Sequence, residues 1–282
     1  MGLAVSDLCS LITIEWYCLC FNPLFINSDI SFVPPEIQHL SGGHPHGCFA
    51  RITAWVTAYI TVERCLCITF PLKVKQILTP KRTTSILCVI YVIMMLPLIP
   101  EYATAYAGWK FYPNLNKTLV GLVFTDDRKK YEGLSFLLLA VLMFISFLLV
   151  VVFTAILVAK LKQKTQWRQK STFDSAQSDN FTKRDKGALK MVIVIASILI
   201  INFVPTVAFY TAVFIIPGFS ITGPYRNVFR VSAAFAFIFD SLNSSVNIIS
   251  YYTMSSKFRL TFHELFSVCR GRKIQAALKK PF

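Results

Sequence analysis

Charged side chains are scarce in this 282-residue chain. Asp, Glu, Lys and Arg make up 15% of the residues, against about a quarter in an average soluble domain, while 55% are hydrophobic. So few charges cannot cover a water-facing surface, which excludes an ordinary cytosolic enzyme, and the apolar content excludes a disordered or collagen-like chain. The composition indicates a protein embedded in membrane lipid, with its length spent on membrane spans and short loops.

Acidic residues are scarcer still, with 14 Asp and Glu against 29 Lys and Arg. A net charge of +15 would suggest nucleic-acid binding if the basic residues were spread over a folded surface. They gather instead in segments between apolar runs. We therefore expect no nucleic-acid partner and attribute the basic excess to membrane topology.

The chain also lacks the residue spacings of common metal and catalytic sites. The Cys-x-Cys pairs at 18/20 and 65/67 do not have zinc-site spacing, and no disulfide framework can be read from the 8 cysteines. His39, His44, His46 and Cys48 lie close in sequence but fit no standard metal site. No nucleophile, base and orienting acid occur together, so we predict that the protein is not an enzyme.

Six apolar stretches approach the length of about twenty residues that crosses a bilayer. They are 3–21, 49–70, 84–99, 136–159, 191–219 and 231–252. Lys and Arg set their orientation: segments 72–83, 160–190 and 257–280 hold 20 of the 29 basic residues, and the alternate segments hold seven. The positive-inside rule places the first set in the cytosol of a multi-pass plasma-membrane protein. Both chain ends then lie in the cytosol too, as an even number of spans requires.

Polar side chains recur inside these stretches at helical spacing. Asp240, Asn243, Ser244 and Asn247 are separated by offsets of three, four and seven, which places them on one face of a helix. Thr53, Thr57 and Arg64 do the same in the second stretch. Ionisable groups in a membrane indicate a function by default; the alternative is a set of hydrogen bonds that only holds helices together.

Five motifs resemble those of rhodopsin-like (class A) G-protein-coupled receptors, in the same order. They are Leu3-Ala4-Val5-Ser6-Asp7, Glu63-Arg64-Cys65 with Pro71-Leu72, Phe203-Val204-Pro205, Asn243 to Tyr251 in the last span, and Lys257-Phe258-Arg259 after it. The amino-acid sequence around Glu63 and Pro71 is most similar to invertebrate, especially molluscan, chemosensory-receptor-like sequences.

The resemblance implies an all-α membrane helix bundle: six spans of a seven-transmembrane receptor plus an amphipathic helix eight. Residues 1–282 would form one receptor domain whose first helix is missing, with 160–190 as the third cytosolic loop and 255–282 as helix eight and tail. The implied function is to sense an extracellular ligand, a peptide or small chemosensory molecule, and to activate a heterotrimeric G protein. An arrestin-type regulator and membrane lipid are further implied partners. The alternatives are a non-signalling receptor remnant and a transporter or channel.

By the same resemblance, several residues form the activation switch between ligand and G protein. They are Glu63, Arg64, Asp185, Phe203, Pro205, Asn247 and Tyr251. Arg64 would pair with Glu63 and Asp185 in the inactive state, and Pro205 would kink its helix as a hinge. Phe203 would be the packing switch below the ligand.

The resemblance also suggests a cation site and a ligand site. The sodium pocket of the family maps onto Asp7, Thr53, Asn243, Ser244 and Asn247, whose oxygens suit a hard cation; a plain hydrogen-bond network is the competing interpretation. No other cofactor is expected. The ligand site would contain His46, Arg51, Thr206, Tyr210 and Asp240, and His46 stands where amine receptors have Asp, which argues against an amine ligand. Arg51 and Asp240 would pair with each other or bind opposite charges of the ligand.

Two modification sites and several departures complete the comparison. Asn116 begins a glycosylation sequon on the outer side, and Cys269 follows the amphipathic helix, where it could be palmitoylated. The outer segment 101–132 contains no cysteine, so the disulfide that usually ties it to the third helix cannot form. Ile248 replaces the usual proline of the last span.

Overall fold

The computed structural model describes residues 2–70, 74–171, 176–220, 223–254 and 258–266. In chain order its elements are helices α1 (Gly2–Cys20), α2 (Pro23–Ile26), α3 (Pro34–Gln38), a π-helical turn (His39–Gly43), α4 (His44–Thr69), α5 (Val74–Ile77), α6 (Pro80–Met95), a 3-10 turn (Leu96–Leu98), α7 (Ile99–Thr104), strands β1 (Ala105–Tyr112) and β2 (Lys117–Phe124), and helices α8 (Arg128–Ser171), α9 (Ala176–Ile215) and α10 (Arg226–Met254).

The long helices form the predicted all-α membrane bundle. Five helical stretches in the described ranges are long and apolar enough to cross a membrane: Gly2–Cys20, Pro80–Thr104, Leu137–Lys160, Ile193–Ile215 and Arg226–Ile249. The sixth predicted span, α4, does not meet the same apolar criterion because it carries Arg51, Glu63 and Arg64. Its 26 residues would nevertheless extend about 39 Å at 1.5 Å per residue, more than the hydrocarbon core is thick.

The position of α4 explains its polar composition. It packs against α1, α6, α8, α9 and α10, so most of its surface faces protein rather than lipid. The two larger apolar clusters of the core both include residues of α4. One contains Leu199, Phe203 and Tyr210 of α9 with residues of α4, α8 and α10, and the other joins α4 to α1 and α6.

A two-stranded β-hairpin at one end of the bundle lies within 101–132, a segment for which the sequence predicts neither helix nor strand. Strand β1 pairs antiparallel with β2, from Ala105 opposite Phe124 to Tyr112 opposite Lys117. The segment before α3 adds to this sheet, because the amide of Val33 donates to Val120 O (2.9 Å) and the amide of Val120 donates to Ser31 O (2.8 Å). We call this end of the bundle the hairpin end.

The segments predicted as a cytosolic loop and as helix eight are both largely helical. Helix α8 continues to Ser171 and α9 begins at Ala176, so 160–190 consists of helix apart from 172–175, which lie outside the described residues. Residues 258–266 form a further helix. It contacts the end of α10 through Tyr252, whose hydroxyl lies 3.2 Å from His263 Nε2 and whose ring packs edge-on against Phe262.

Candidate functional site: the hairpin-end cavity and the polar core

A cavity of about 300 Å³ opens at the hairpin end between α1, α4, α8, α9 and α10. We call it the hairpin-end cavity. The residues of its wall that carry the argument below are Tyr17, Glu36, His39, His44, Arg51, Tyr210, Arg230 and Phe237. The volume corresponds to the lower end of ordinary small-molecule pockets.

Two of the five predicted ligand residues, Arg51 and Tyr210, line this cavity. Arg51 is 4% exposed, and its Nη1 donates a 2.6 Å hydrogen bond to the Tyr210 hydroxyl. The guanidinium also lies 5.7 Å from the centre of the Tyr210 ring, while its Nε is buried without a hydrogen bond. A cation joined to a phenol in this way can receive an anionic group from the cavity.

The other three predicted ligand residues do not reach the cavity. His46 is fully buried, with Nδ1 3.0 Å from the carbonyl oxygen of Ser10 and 3.1 Å from its hydroxyl, so it joins α4 to α1. Asp240 Oδ1 accepts a 2.9 Å hydrogen bond from Thr206, which joins α10 to α9. These side chains therefore connect helices, which is the alternative that the sequence left open.

The predicted direct pairing of Arg51 with Asp240 is wrong for this structure. Each group instead has a neutral hydroxyl partner, Tyr210 for Arg51 and Thr206 for Asp240. The orientation of α9 about its own axis directs the Tyr210 hydroxyl toward α4 and the Thr206 hydroxyl toward α10. Helical spacing within one span cannot predict which side chain of another helix lies between two charges.

The segment that precedes α4 is held to the hairpin through Glu36. Glu36 Oε2 accepts hydrogen bonds from the Tyr112 hydroxyl (2.8 Å) and the Leu122 amide (2.9 Å). Burial, reinforced by hydrogen bonding to this carboxylate, raises the pKa of Tyr112 above its usual range. At the hairpin tip Lys117 Nζ lies 2.8 Å from Asp29, and this contact lowers the pKa of Asp29. These contacts connect the two outer segments, which share no disulfide.

Below the cavity, Thr53, Ser244 and Asn247 of the predicted sodium site meet around Asp7, and Asn243 lies one turn before Asn247 on α10. Asp7 is 7% exposed; Oδ1 accepts from Thr53 Oγ1 (2.8 Å) and Oδ2 from Asn247 Nδ2 (3.0 Å). Ser244 lies beside the carboxylate, but its hydroxyl makes no hydrogen bond of good geometry. The Oδ1 atoms of Asn243 and Asn247 are likewise buried without a hydrogen bond among the described residues. Unused oxygens around a carboxylate suit a hard cation or ordered water.

Phe203 and Pro205 lie in α9 one to two turns from its cavity residues Phe209 and Tyr210. Phe203 is 2% exposed and belongs to the apolar cluster that also contains the cavity residues Tyr210 and Phe209. Pro205 is inside the helix, where it removes one backbone hydrogen bond. Thr206, the next residue, makes the bond to Asp240, so the weakened turn of α9 is attached to α10.

At the opposite end of the bundle, the structure does not show the predicted pair between Glu63 and Arg64. Glu63 accepts a 3.1 Å hydrogen bond from Thr83 of α6, and Arg64 is exposed. The backbones of Asp185 and Tyr251 are helical, but their side chains lie outside the described part of the chain. The Arg64–Asp185 contact therefore stays a prediction.

The two predicted modification sites also stay predictions. Asn116 is exposed in the turn between β1 and β2 and has a positive φ of 48°, a conformation that Asn tolerates better than most residues. Cys269 lies outside the described residues.

Several cavity residues were not predicted as ligand residues from the sequence. His39, His44, Tyr17, Glu36, Arg230 and Phe237 all contribute to the wall. In the sequence, Arg230 is one of the basic residues of the segments predicted to lie outside, with nothing to mark it as a ligand residue. Phe237 carries no signal that distinguishes it among 25 phenylalanines.

Comparison with known proteins agrees with this arrangement. The crystal structure of squid rhodopsin matches with a TM-score of 0.63 and 15% sequence identity, over 94% of this chain and 69% of the rhodopsin chain; at this identity the likeness concerns the fold. No curated protein matches the sequence. The family model for the serpentine type seven-transmembrane G-protein-coupled chemoreceptor Srw matches residues 44–269. The chain therefore belongs to the Srw family of serpentine seven-transmembrane chemoreceptors and is a rhodopsin-like receptor.

Proposed function

We propose that this receptor resides in the plasma membrane, binds an extracellular ligand in the hairpin-end cavity, and in response activates a heterotrimeric G protein. The hairpin end would face outward and both ends of the chain inward, as the Lys and Arg distribution predicts. The observation that carries the proposal is the Arg51–Tyr210 pair, because it exposes a buried cation to a cavity at one end of the bundle.

The charges of the cavity indicate the chemistry of the ligand. Arg51 and Arg230 both line it, whereas Asp240 is occupied by Thr206 outside the wall. Glu36, the acidic residue of the wall, accepts two hydrogen bonds from the hairpin. The ligand should therefore carry a carboxylate or similar anion, such as the carboxyl end of a short peptide or a small acidic odorant, together with an apolar part for Phe209, Phe229 and Phe237.

A route for the signal follows from the packing. Tyr210 shares an apolar cluster with Phe203, which lies two residues before Pro205. A ligand that moves Tyr210 therefore also moves the Phe203 side chain. A shift of α9 at this weakened turn changes its position against α10, which the Thr206–Asp240 bond couples to it. The ligand then favours one of two bundle arrangements through its differential affinity for them. At the cytosolic end the active arrangement would bind the G protein, and an arrestin-type regulator would bind the same surface.

We further propose that sodium binds the Asp7 cluster in the inactive arrangement. The residues fit a hard cation because the Asp7 carboxylate contacts Thr53 and Asn247, and the Ser244 hydroxyl and Asn247 Oδ1 are buried without a hydrogen bond in the described part of the chain. Sodium should then lower agonist affinity, and Asp7→Asn should remove this dependence. Competition binding at constant ionic strength, with sodium replaced by choline, measures the effect; an agonist affinity that ignores sodium in the unaltered receptor would favour the plain hydrogen-bond network.

A ligand screen tests the main proposal. The chain is expressed in cells with calcium and cyclic-nucleotide reporters and exposed to short peptides and small molecules in matched free-acid and amide forms. Free acids should activate it and the amides should not. Arg51→Gln should raise the half-maximal concentration by about 10- to 100-fold, because a charge-assisted hydrogen bond contributes about 1.5–3 kcal/mol.

Arg226→Gln is the matched control for Arg51→Gln because it makes the same substitution near the cavity. Arg226 begins the same helix as the cavity residue Arg230 but does not line the cavity itself. Its response should equal that of the unaltered receptor at equal surface expression. If Arg51→Gln responded normally to every activating acid, the cavity would not be the ligand site. A chain that reaches the surface but never responds would instead support the non-signalling remnant.

A further inference from the structure

Three side chains able to bind a metal meet in the wall of the receptor at the hairpin end. His44 Nε2 lies 3.1 Å from His39 Nε2 and 3.4 Å from Glu101 Oε2. One donor atom from each of the three lies within 4.8 Å of the others. The histidines come from the entrance to α4 and Glu101 from α7, so the cluster joins two separate parts of the bundle.

The π-helical turn brings the two histidines together. Residues five apart in an α-helix point about 140° away from each other at 3.6 residues per turn. Here the backbone N–H of His44 donates to His39 O across the turn His39–Gly43, and the wider turn sets both imidazoles on one side, with ring centres 4.4 Å apart. Single π-turns of this kind recur at functional sites.

The observed spacing is that of zinc ligands. With Zn–N bonds of about 2.0–2.1 Å, two ligand atoms of a tetrahedral site lie about 3.3 Å apart. Two of the three edges, 3.1 and 3.4 Å, already have this length. The remaining edge, between His39 and Glu101, has to shorten by about 1.5 Å at most by the same geometry, which a glutamate side chain can supply by rotation.

The carboxylate of Glu101 is buried and is able to accept further bonds. Glu101 is 1% exposed, and neither carboxylate oxygen makes a hydrogen bond of good geometry within the described part of the chain. The contact that compensates its charge is Arg128, whose Nη1 lies 3.3 Å from Oε2. Arg128 also stacks on the Phe124 ring at 4.1 Å and can keep this contact if a metal takes over the carboxylate.

We propose that His39, His44 and Glu101 bind a divalent transition-metal ion such as Zn²⁺ through two imidazole Nε2 atoms and one carboxylate oxygen. Imidazole and carboxylate are both good zinc ligands, and sites with three protein ligands keep a fourth position open. His39 and His44 line the hairpin-end cavity, so the open position is accessible from it. The site goes beyond the proposed signalling function and does not depend on it.

Titration of the purified full chain in lipid nanodiscs with Zn²⁺ alone tests the proposal by calorimetry. Co²⁺ serves as a second probe because its visible spectrum reports tetrahedral coordination. One ion should bind per chain, and His39→Asn and His44→Asn should each weaken binding at least tenfold. His39→Cys should bind Zn²⁺, since thiolate is also a zinc ligand. Thermal melting without metal shows that each variant is folded.

His263→Asn is the control, because His263 is exposed on the helix 258–266, far along the chain from the cluster. It should bind Zn²⁺ as the unaltered chain does. Binding that survives both His39→Asn and His44→Asn, binding lost in His263→Asn, or no saturable binding at all would overturn the site. In the last case the two histidines would only be hydrogen-bonded to each other. None of these readouts involves a receptor ligand or G protein.

Discussion

The guanidinium of Arg51 lies inside a membrane bundle, where a charge costs several kcal/mol unless it is paired or hydrated. The structure meets this cost with a phenol and a nearby cavity, not with a direct ion pair. An arginine held in this way keeps its hydrogen-bonding capacity for an incoming anion, whereas one paired tightly with Asp240 would have spent it. The contact with Tyr210 thus accounts for the buried charge and leaves Arg51 able to bind the anionic ligand that we propose.

Gly47 gives Arg51 the space for this conformation. A Cβ at position 47 would lie 3.3 Å from Arg51 Nη1 and 3.7 Å from the Tyr210 hydroxyl. We expect Gly47→Ala to raise the half-maximal ligand concentration about tenfold, because displacing the guanidinium loses roughly one hydrogen bond of about 1.4 kcal/mol. Thermal stability should not fall, since Ala favours the helix by up to about 1 kcal/mol. Dose–response curves and melting of the purified receptor measure the two effects; lowered stability with normal potency would show that Gly47 serves packing alone.

Among the elements, the β-hairpin depends on a close approach that only glycine allows. A Cβ at Gly121 would overlap the Tyr112 hydroxyl and lie 2.7 Å from Glu36 Oε2. These two groups form the hydrogen bond that holds the hairpin to the segment before α4. We expect Gly121→Ala to expose the backbone amides of 105–124 to faster hydrogen exchange, read by mass spectrometry. Tyr112→Phe removes the overlapping oxygen, so the double variant should exchange more slowly than Gly121→Ala alone.

Tyr112→Phe by itself supplies the reference for this comparison. It loses one hydrogen bond to a carboxylate and should speed exchange moderately. Helix α10 lies outside the hairpin, and its amides should be unchanged in all three variants. Equal exchange in Gly121→Ala and the unaltered chain would mean that Tyr112 does not cross over Gly121 toward Glu36.

The membrane-spanning parts of the long helices could be predicted from the sequence because apolar residues dominate each of them, and the polar face of α10 followed from the offsets of Asp240, Asn243 and Asn247. The hairpin was missed although its strands contain β-forming residues such as Trp109 and Val120, since the segment lies between two apolar runs and shows no clear alternation of polar and apolar residues. The π-helical turn was missed too, because no residue pattern specifies it. Contacts between helices, such as Thr206 of α9 with Asp240 of α10, depend on the orientation of each helix about its own axis, which one sequence does not encode in readable form.

For the whole molecule, signalling requires that the two ends of the bundle change together. Contacts run from Arg51 and Tyr210 into the apolar cluster that contains Phe203 and Ala54, the residue after Thr53 of the Asp7 cluster, and Arg64 lies toward the opposite end of α4. Because Glu63 is occupied by Thr83 of α6, Arg64 is available to another partner. We expect that partner to be Asp185 in the inactive arrangement and the G protein in the active one, which makes an electrostatic contact the bias between two states.

Variants at the two charges should therefore act in opposite directions. Arg64→Gln should retain ligand affinity but reduce ligand-stimulated nucleotide exchange on the G protein at least tenfold, because the exposed cation that meets the G protein is lost. Asp185→Asn should raise exchange without ligand several-fold, since a lost ion pair of about 1 kcal/mol shifts a two-state equilibrium by about fivefold. Radioligand binding and exchange on reconstituted G protein separate these effects, and Lys183→Gln, two residues from Asp185, controls for local charge. Normal exchange in Arg64→Gln would exclude Arg64 from coupling, and unchanged basal exchange in Asp185→Asn would exclude the inactive-state contact while leaving the ligand site unaffected.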